Sequence, residues 1–248
     1  IYIGSLLTKY YSWESCFYFM TLYAFFILTL TFFLPETLKE KDPGSLHLIR
    51  ILQVYFSHFR HMLFLFCSLI LGVSGGVIYI FAAEAPYIAL DQLNLSPDLF
   101  GLLNLIPFFG LFVGGFFSSY ISTKLLPKTM ILTGSLIYFF SSVMMLISFE
   151  VGYINANSLF LFPLAIFFSF PMLFSSSSLL GISLSPHKSY ASSLINFLQI
   201  MIGVAIMEAV YFFPIQNATI LPLYYSCVGV VLLILFGILS CLPEKNLP

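Results

Sequence analysis

Polar side chains recur on one face of an apolar stretch late in the chain. Spacings of four, three and four residues place four small or polar side chains on one stripe of a predicted helix: Ser192, Asn196, Gln199 and Gly203. An amide group among apolar neighbours must find a partner in the protein or in water. The stripe therefore predicts a cavity or another helix opposite Asn196 and Gln199.

Two earlier apolar stretches carry similar stripes. The members of the first are Ser68, Gly72, Gly75 and Tyr79, and those of the second are Gly101, Asn104, Phe108, Leu111, Gly115 and Ser118. Gly72-x-x-x-Gly76 and Gly110-x-x-x-Gly114 are also typical of closely packed helices, which need no ligand, so both interpretations stay open for the glycines. The candidates for a substrate cavity are Tyr79, Asn104, Asn196 and Gln199.

Two carboxylates lie within or beside the apolar stretches, Glu84 and Glu208. An ionisable group at membrane depth is a functional hypothesis in itself. Glu208 lies nine residues after Gln199, which turns it to roughly the opposite helix face. Glu208 is therefore a candidate for proton coupling. The alternative is that it is a carboxylate at the membrane interface with no such role.

Two motifs of soluble enzyme chemistry are absent from the sequence. There is no phosphate-binding G-x-x-x-x-G-K-[ST] and no H-E-x-x-H. The four cysteines show no C-x-x-C or Cys/His ligand spacing and are predicted to be small apolar packing residues. We predict no catalytic residue, no cofactor, no metal site and no nucleic-acid partner. The net charge of -1 carries no information on such a partner, because nearly all charged residues sit in short clusters between the apolar runs.

The residues above are carried by long uncharged runs. Residues 99–123 contain no Asp, Glu, Lys or Arg, and the whole chain is 60% apolar and only 8% charged. A helix of about 20 residues crosses a hydrocarbon core of about 30 Å. The pattern predicts an all-α polytopic membrane protein with seven crossings, at about 13–34, 61–83, 99–120, 129–149, 158–180, 189–213 and 222–242.

Loop charges predict the orientation of these crossings. Lys and Arg are enriched in short cytoplasmic loops, and eight of the nine basic residues fall on one side of the predicted topology, Lys9 being the exception. The C-terminus is accordingly predicted to be cytoplasmic. Ser96 and Pro97 predict a capped helix start, and the apolar middle of residues 35–60 predicts an amphipathic interfacial helix. The chain begins without Met, and residues 1–8 are interpreted as the tail of an earlier helix in a longer polypeptide.

Several short motifs resemble the major facilitator superfamily, and within it the Bcr/CflA-type drug:proton antiporters. They are Leu34-Pro35-Glu36-Thr37-Leu38 after the first crossing, Ala85-Pro86-Tyr87-Ile88 and Leu95-Ser96-Pro97-Asp98-Leu99-Phe100-Gly101 around the second joint, and Tyr190-Ala191-Ser192-Ser193-Leu194 with Phe197-Leu198-Gln199 in the sixth crossing. Gly115, Lys124 and Lys128 resemble the cytoplasmic gating motif of that superfamily. Ser119 stands near the place of its acidic residue.

The resemblance implies a C-terminal fragment of a transporter. Residues 1–34 would be the end of helix five and helix six, residues 35–60 the central cytoplasmic loop, and residues 61–248 the C-terminal six-helix half. Alternating access, driven by protons, would export amphipathic drug-like molecules across a bacterial inner membrane. The implied partners are the lipid bilayer, the small-molecule substrate, protons and the N-terminal half. Two alternatives remain: a facilitator of a sugar, amino acid or siderophore, and a non-transporting relic or scaffold.

Overall fold

The computed structural model describes residues 2–35, 48–183, 185, 188–212 and 217–242, and all regular structure in these ranges is helical. The helices are α1 (Tyr2–Tyr10), α2 (Glu14–Thr31), α3 (Leu48–Phe59), α4 (Met62–Tyr87, continued by a π-helical turn Ile88–Gln92), α5 (Pro97–Leu103), α6 (Leu105–Ile121), α7 (Pro127–Glu150), α8 (Ala156–Ser183), α9 (Lys188–Tyr211) and α10 (Ile220–Cys241).

Seven helical spans within the described part of the chain are long and apolar enough to cross a membrane. They are Glu14–Thr31, Met62–Gln92, Pro97–Ile121, Pro127–Glu150, Ala156–Ser183, Lys188–Val210 and Ile220–Cys241. The all-α fold and the seven predicted crossings are therefore confirmed, and the chain is an integral membrane protein. We call the end of the bundle near Met62, Ile121 and Ser183 the inner end and the end near Asp98 the outer end, following the predicted orientation.

Helices α4 and α8 form the centre of the bundle. Helix α4 packs against α8, α9 and α10, and α8 packs against α6 and α7 as well. Phe64, Ile70 and Ile80 of α4 and Phe160 of α8 are fully buried, whereas α2 buries no residue. The core therefore lies in α4–α10, and the first two helices stand beside it.

The third crossing differs from its prediction in one respect. Ser96 caps the helix as expected, because its side chain accepts a hydrogen bond from Leu99 N at 3.3 Å, and Pro97 occupies the first turn. The predicted continuous helix is, however, interrupted at Asn104, between α5 and α6. Pro107 lacks the N–H that would bond the carbonyl of Leu103, which accounts for the interruption.

Helix α3 confirms that part of the 35–60 segment is helical, although residues 36–47 of that segment lie outside the described residues. Its contacts join it to the inner end of the bundle. His58 is buried, with Nε2 2.8 Å from Ser185 Oγ, and the hydroxyls of Tyr55 and Ser193 are 3.0 Å apart. These contacts hold α3 against the beginning of α9.

Candidate substrate-facing site

Gln199, Gly75 and Phe170 meet where α4, α8 and α9 come together. A methyl group on Gly75 would lie 3.2 Å from Gln199 Nε2 and 3.8 Å from Phe170 Cε2. Each residue lies eleven to thirteen positions from the inner end of its helix, or about 17–20 Å at 1.5 Å per residue. The meeting point is therefore near the middle of a hydrocarbon core about 30 Å thick.

Tyr79 and Gly203 meet one helical turn farther out on the same two helices. A methyl group on Gly203 would lie 2.8 Å from Tyr79 Cε2, so only glycine leaves room for the tyrosine ring there. Tyr79 and Gln199, both predicted for the cavity, are thus on the contact between α4 and α9. Each side chain is partly buried. The absence of a side chain at Gly75 and Gly203 is what lets both polar groups lie between the helices.

A cleft of about 470 Å³ lies between α6 and α8, toward the inner end. Its lining combines small, hydroxyl and aromatic side chains: Leu111, Gly115, Ser118, Ser119, Ser122, Phe170, Pro171, Phe174 and Ser175. Ser118 Oγ lies 2.9 Å from Ser175 Oγ and donates to the carbonyl of Pro171 at 3.3 Å. The volume of the cleft falls in the range of small-molecule binding sites.

Phe170 connects the cleft to the Gln199 contact, because it lines the cleft and also lies against Gly75. Its ring and that of Phe174 are 5.7 Å apart. Sequence reasoning did not select either residue, since the chain holds 30 phenylalanines. A usable signal was present: Pro171 and the serines at 175–178 mark the segment of α8 that faces the cleft.

Asn104 lies in the packed contact between the third crossing and α8. Only 2% of its surface is exposed, and its Oδ1 has no hydrogen-bond partner among the described residues. Phe100 and Phe108, one turn on either side, pack their rings against Phe160 and Phe167, at centroid distances of 6.0 and 5.6 Å. Asn104 is not among the residues that line the cleft.

Asn196 has the opposite setting, because its side chain is exposed. Its Nδ2 donates to the carbonyl of Ser192 at 2.8 Å, one turn back on the same helix. Its position three residues before Gln199 keeps it on the same stripe. Of the four predicted cavity residues, the structure thus groups Tyr79 and Gln199, leaves Asn196 exposed beside them and buries Asn104 elsewhere.

The three residues of the predicted gating motif do not share one environment. A methyl group on Gly115 would meet no atom within 4 Å, and this glycine lines the cleft. Lys124 donates to the hydroxyl of Tyr120 at 2.6 Å and lies 4.2 Å from the centre of its ring. Lys128 lies in the first turn of α7 and is partly buried.

The two membrane carboxylates also differ. Glu208 is exposed on α9, whereas Glu84 is partly buried on α4, the most buried helix of the bundle. Both lie toward the outer end, on the far side of the Gln199 level from the cleft. Within the ranges the structure describes, no three His, Cys, Asp or Glu side chains converge as metal ligands would.

Comparison with known proteins gives a family match over most of the chain. The profile of the Major Facilitator Superfamily matches residues 1–207. An uncharacterized transporter of Rickettsia felis is 32% identical over 124 residues, and one of Rickettsia bellii is 33% identical over 125 residues. Each match covers 49% of this chain, and the chain spans 30% of the length of these relatives.

Proposed function

The chain belongs to the major facilitator superfamily, and on that premise we propose that it takes part in proton-coupled efflux of drug-like amphipathic molecules by alternating access. The observation that carries this proposal is the cleft between α6 and α8, whose lining residue Phe170 also lies against Gly75 beside Gln199 at mid-membrane depth. Binding near the midplane, while one helix bundle moves against the other around the site, is how transporters of this architecture work.

The lining chemistry supports an amphipathic cargo. Phe170, Phe174 and Leu111 offer an apolar surface, while the serine hydroxyls of α6 and α8 and the Gln199 amide offer hydrogen bonds. Among the described residues, those that line the cleft include no Asp, Glu, Lys or Arg. An apolar pocket with a few hydrogen-bonding groups suits a molecule with a hydrophobic body and polar substituents.

For proton coupling we propose two carboxylates, Glu208 and Glu84. A carboxylate in a membrane span can take up a proton on one side and release it on the other. Glu84 has the more protected setting, since it is partly buried whereas Glu208 is exposed. Replacement of either by Gln removes the titrating group and keeps the shape, so the two variants compare the candidates directly.

The proposal extends to the surroundings of the site. Gly115, Lys124 and Lys128 would form the inner gating segment, with Gly115 in the lining of the cleft and the two lysines in the loop after α6 and the first turn of α7. The protein would lie in a bacterial inner membrane with its C-terminus in the cytoplasm, in agreement with the loop charges and with the bacterial source of the two relatives.

The test is efflux of ethidium from cells or proteoliposomes that contain the intact protein, with and without an imposed proton gradient. Gln199→Ala should lower the efflux rate severalfold at unchanged membrane abundance, because it removes the amide at the midplane. Gln53→Ala is the matched control, since Gln53 is an exposed glutamine on α3.

Each result has a defined meaning. Equal efflux by the Gln199→Ala and Gln53→Ala proteins would remove Gln199 from the cargo path. Gradient-independent movement of a sugar or amino acid, with no ethidium efflux by the unmodified protein, would replace the drug-efflux proposal by the facilitator alternative. No movement of any of these solutes would favour the non-transporting alternative.

A further inference from the structure

Helix α1 packs on α5 at the outer end of the bundle through three residues of one helix face. Tyr2, Ser5 and Lys9 share this face by their spacing. Ser5 lies against Gly101: a methyl group there would be 2.5 Å from Ser5 Oγ and 3.6 Å from Tyr2 Cα. A side chain at position 101 would therefore overlap Ser5.

An ion pair completes the contact one turn farther along α1. Lys9 Nζ donates to the Asp98 carboxylate, across 89 residues of sequence. The hydrogen bond to Asp98 and the charge of its carboxylate raise the pKa of Lys9 above its usual value.

The contact joins two parts of the chain that the core does not hold together. Residues 2–35 precede α3, and α2 has no buried residue, whereas α4–α10 pack around one core. Separation of α1 from α5 would expose Ser5 and Gly101 and break the Lys9–Asp98 pair without opening that core. A cavity of about 450 Å³ already borders the contact, lined by Ser5, Thr8, Lys9, Pro97 and Asp98.

The third crossing has different neighbours at its two ends. At the outer end α5 is covered by α1, while toward the inner end the cleft opens beside Gly115, Ser118 and Ser122. A transport cycle requires that one side be closed while the other is open. The exposed ion pair is well suited to a contact that must break repeatedly, because such pairs shift a two-state equilibrium by only about fivefold or less.

We infer that Ser5, Lys9, Asp98 and Gly101 form an outer gate that is closed in this structure and opens when α1 separates from α5. The inference rests on the proposed transport function for its role. Its test does not require a cargo, because opening of the gate is measured by the reactivity of a single thiol.

The experiment places a reporter cysteine in the gate of the intact protein, from which the native cysteines have been removed. Ser5→Cys is labelled from the outer side with a membrane-impermeant maleimide. Lys9→Gln and, separately, Asp98→Asn should each raise the labelling rate two- to fivefold, because loss of the ion pair favours the open gate. Lys9→Arg keeps the charge and should leave the rate within twofold of the parent.

A charge-reversal variant distinguishes loss of the ion pair from a general loss of structure as the cause of faster labelling. The Lys9→Asp/Asp98→Lys double variant restores the pair in the opposite sense and should return the labelling rate close to that of the parent. Glu14→Gln is the matched control, since it removes an exposed charge at the start of α2. Its rate should not change.

The outcomes distinguish the gate from the transport proposal. Labelling rates that are equal in Lys9→Gln, Asp98→Asn and Glu14→Gln would overturn the gate, even where ethidium efflux is intact. Faster labelling that the double variant fails to reverse would also overturn it, because the effect would then arise from unfolding. The predicted pattern of rates without efflux of any dye would retain the gate and reject drug efflux.

Discussion

The two helix pairs that surround the candidate site use glycine in different ways. In the α6–α8 pair, glycine faces the backbone of the partner helix: a methyl group on Gly110 would lie 3.0 Å from the carbonyl carbon of Leu164, and one on Gly114 2.9 Å from that of Phe168. In the α4–α9 pair, Gly72, Gly75 and Gly76 face side chains instead, those of Ile202, Gln199 and Ile206.

This difference determines how freely each pair can move. Backbone atoms of a helix cannot yield without disturbing its hydrogen bonds, so the distance between α6 and α8 is fixed. Side chains can change rotamer, although a branched carbon close to the backbone yields less than a chain end. We therefore expect the cleft to keep its wall positions while the α4–α9 contact adjusts around the Gln199 and Tyr79 side chains.

The largest effect should come from Gly114→Ala. The added methyl would overlap the carbonyl group of Phe168, and insertion into a close-packed contact costs about 1–3 kcal/mol or more. A thermal-unfolding assay in detergent, together with membrane abundance, should show a clear loss of stability. Gly115→Ala, one residue later, is the control, since its methyl meets no atom within 4 Å and alanine favours helix by about 1 kcal/mol.

Equal stability of the Gly114→Ala and Gly115→Ala proteins would mean that α6 can move away from α8 at little cost. The two walls of the cleft would then be mobile, and the distinction between a fixed and an adjustable helix pair would be lost.

An intermediate effect is expected at Gly72 on the adjustable pair. Its methyl would lie 2.7 Å from Ile202 Cγ2, near the backbone end of a branched side chain. Gly72→Ala should cost about 1–2 kcal/mol. Gly76→Ala should cost less, because the nearest atom is Ile206 Cδ1 at 3.2 Å, the flexible end of its side chain.

The discriminating measurement is rescue by the partner. Ile206→Val shortens the side chain that faces Gly76 and should recover the stability of Gly76→Ala. No such partner exists for Gly114→Ala, since its obstacle is backbone. A Gly76→Ala protein less stable than Gly114→Ala would reverse the proposed order.

Gly75→Ala should alter transport more than stability. Its methyl would lie 3.2 Å from Gln199 Nε2, so the flexible amide must move by a few tenths of an ångström. The expected stability change is under about 1 kcal/mol, while ethidium efflux should fall toward the level of Gln199→Ala. If efflux is unchanged, the exact place of the Gln199 amide has no role in cargo movement.

Much of the fold was accessible from sequence because membrane spans have a strong signal. Uncharged runs about 20 residues long predicted the seven crossings, and the Ser96-Pro97 pair predicted the helix start correctly. The interruption at Asn104 was missed, since a proline three residues later can be absorbed by a continuous helix or can break it. Lys9 was the one basic residue on the side of the predicted topology opposite to the other eight. Its ion pair with Asp98 supplies a local reason for that position.

The candidate site was only partly accessible. Stripe geometry predicted a cavity or a neighbouring helix opposite Gln199, and the structure places Gln199 and Tyr79 on the contact between α4 and α9. Residue spacing cannot reveal which neighbour covers a stripe. Asn104 shares its stripe with Gly115, yet the former is buried against α8 and the latter lines the cleft. Phe170 is one of 30 phenylalanines, and only packing distinguishes it from those that face lipid.

The loss of a single side-chain hydrogen bond is tested at Ser118, on the wall of the cleft. Ser118→Ala removes the hydroxyl that lies 2.9 Å from Ser175 Oγ and donates to the Pro171 carbonyl. A single such bond contributes about 1 kcal/mol, and the close approach at Gly114, one turn away, should still hold α6 to α8. Ser119→Ala, at an exposed position of the same cleft, should leave the unfolding temperature unchanged. If Ser118→Ala lost as much stability as Gly114→Ala, the distance between α6 and α8 would depend on the Ser118 hydroxyl. The close glycine contact alone would then be too weak to maintain that distance.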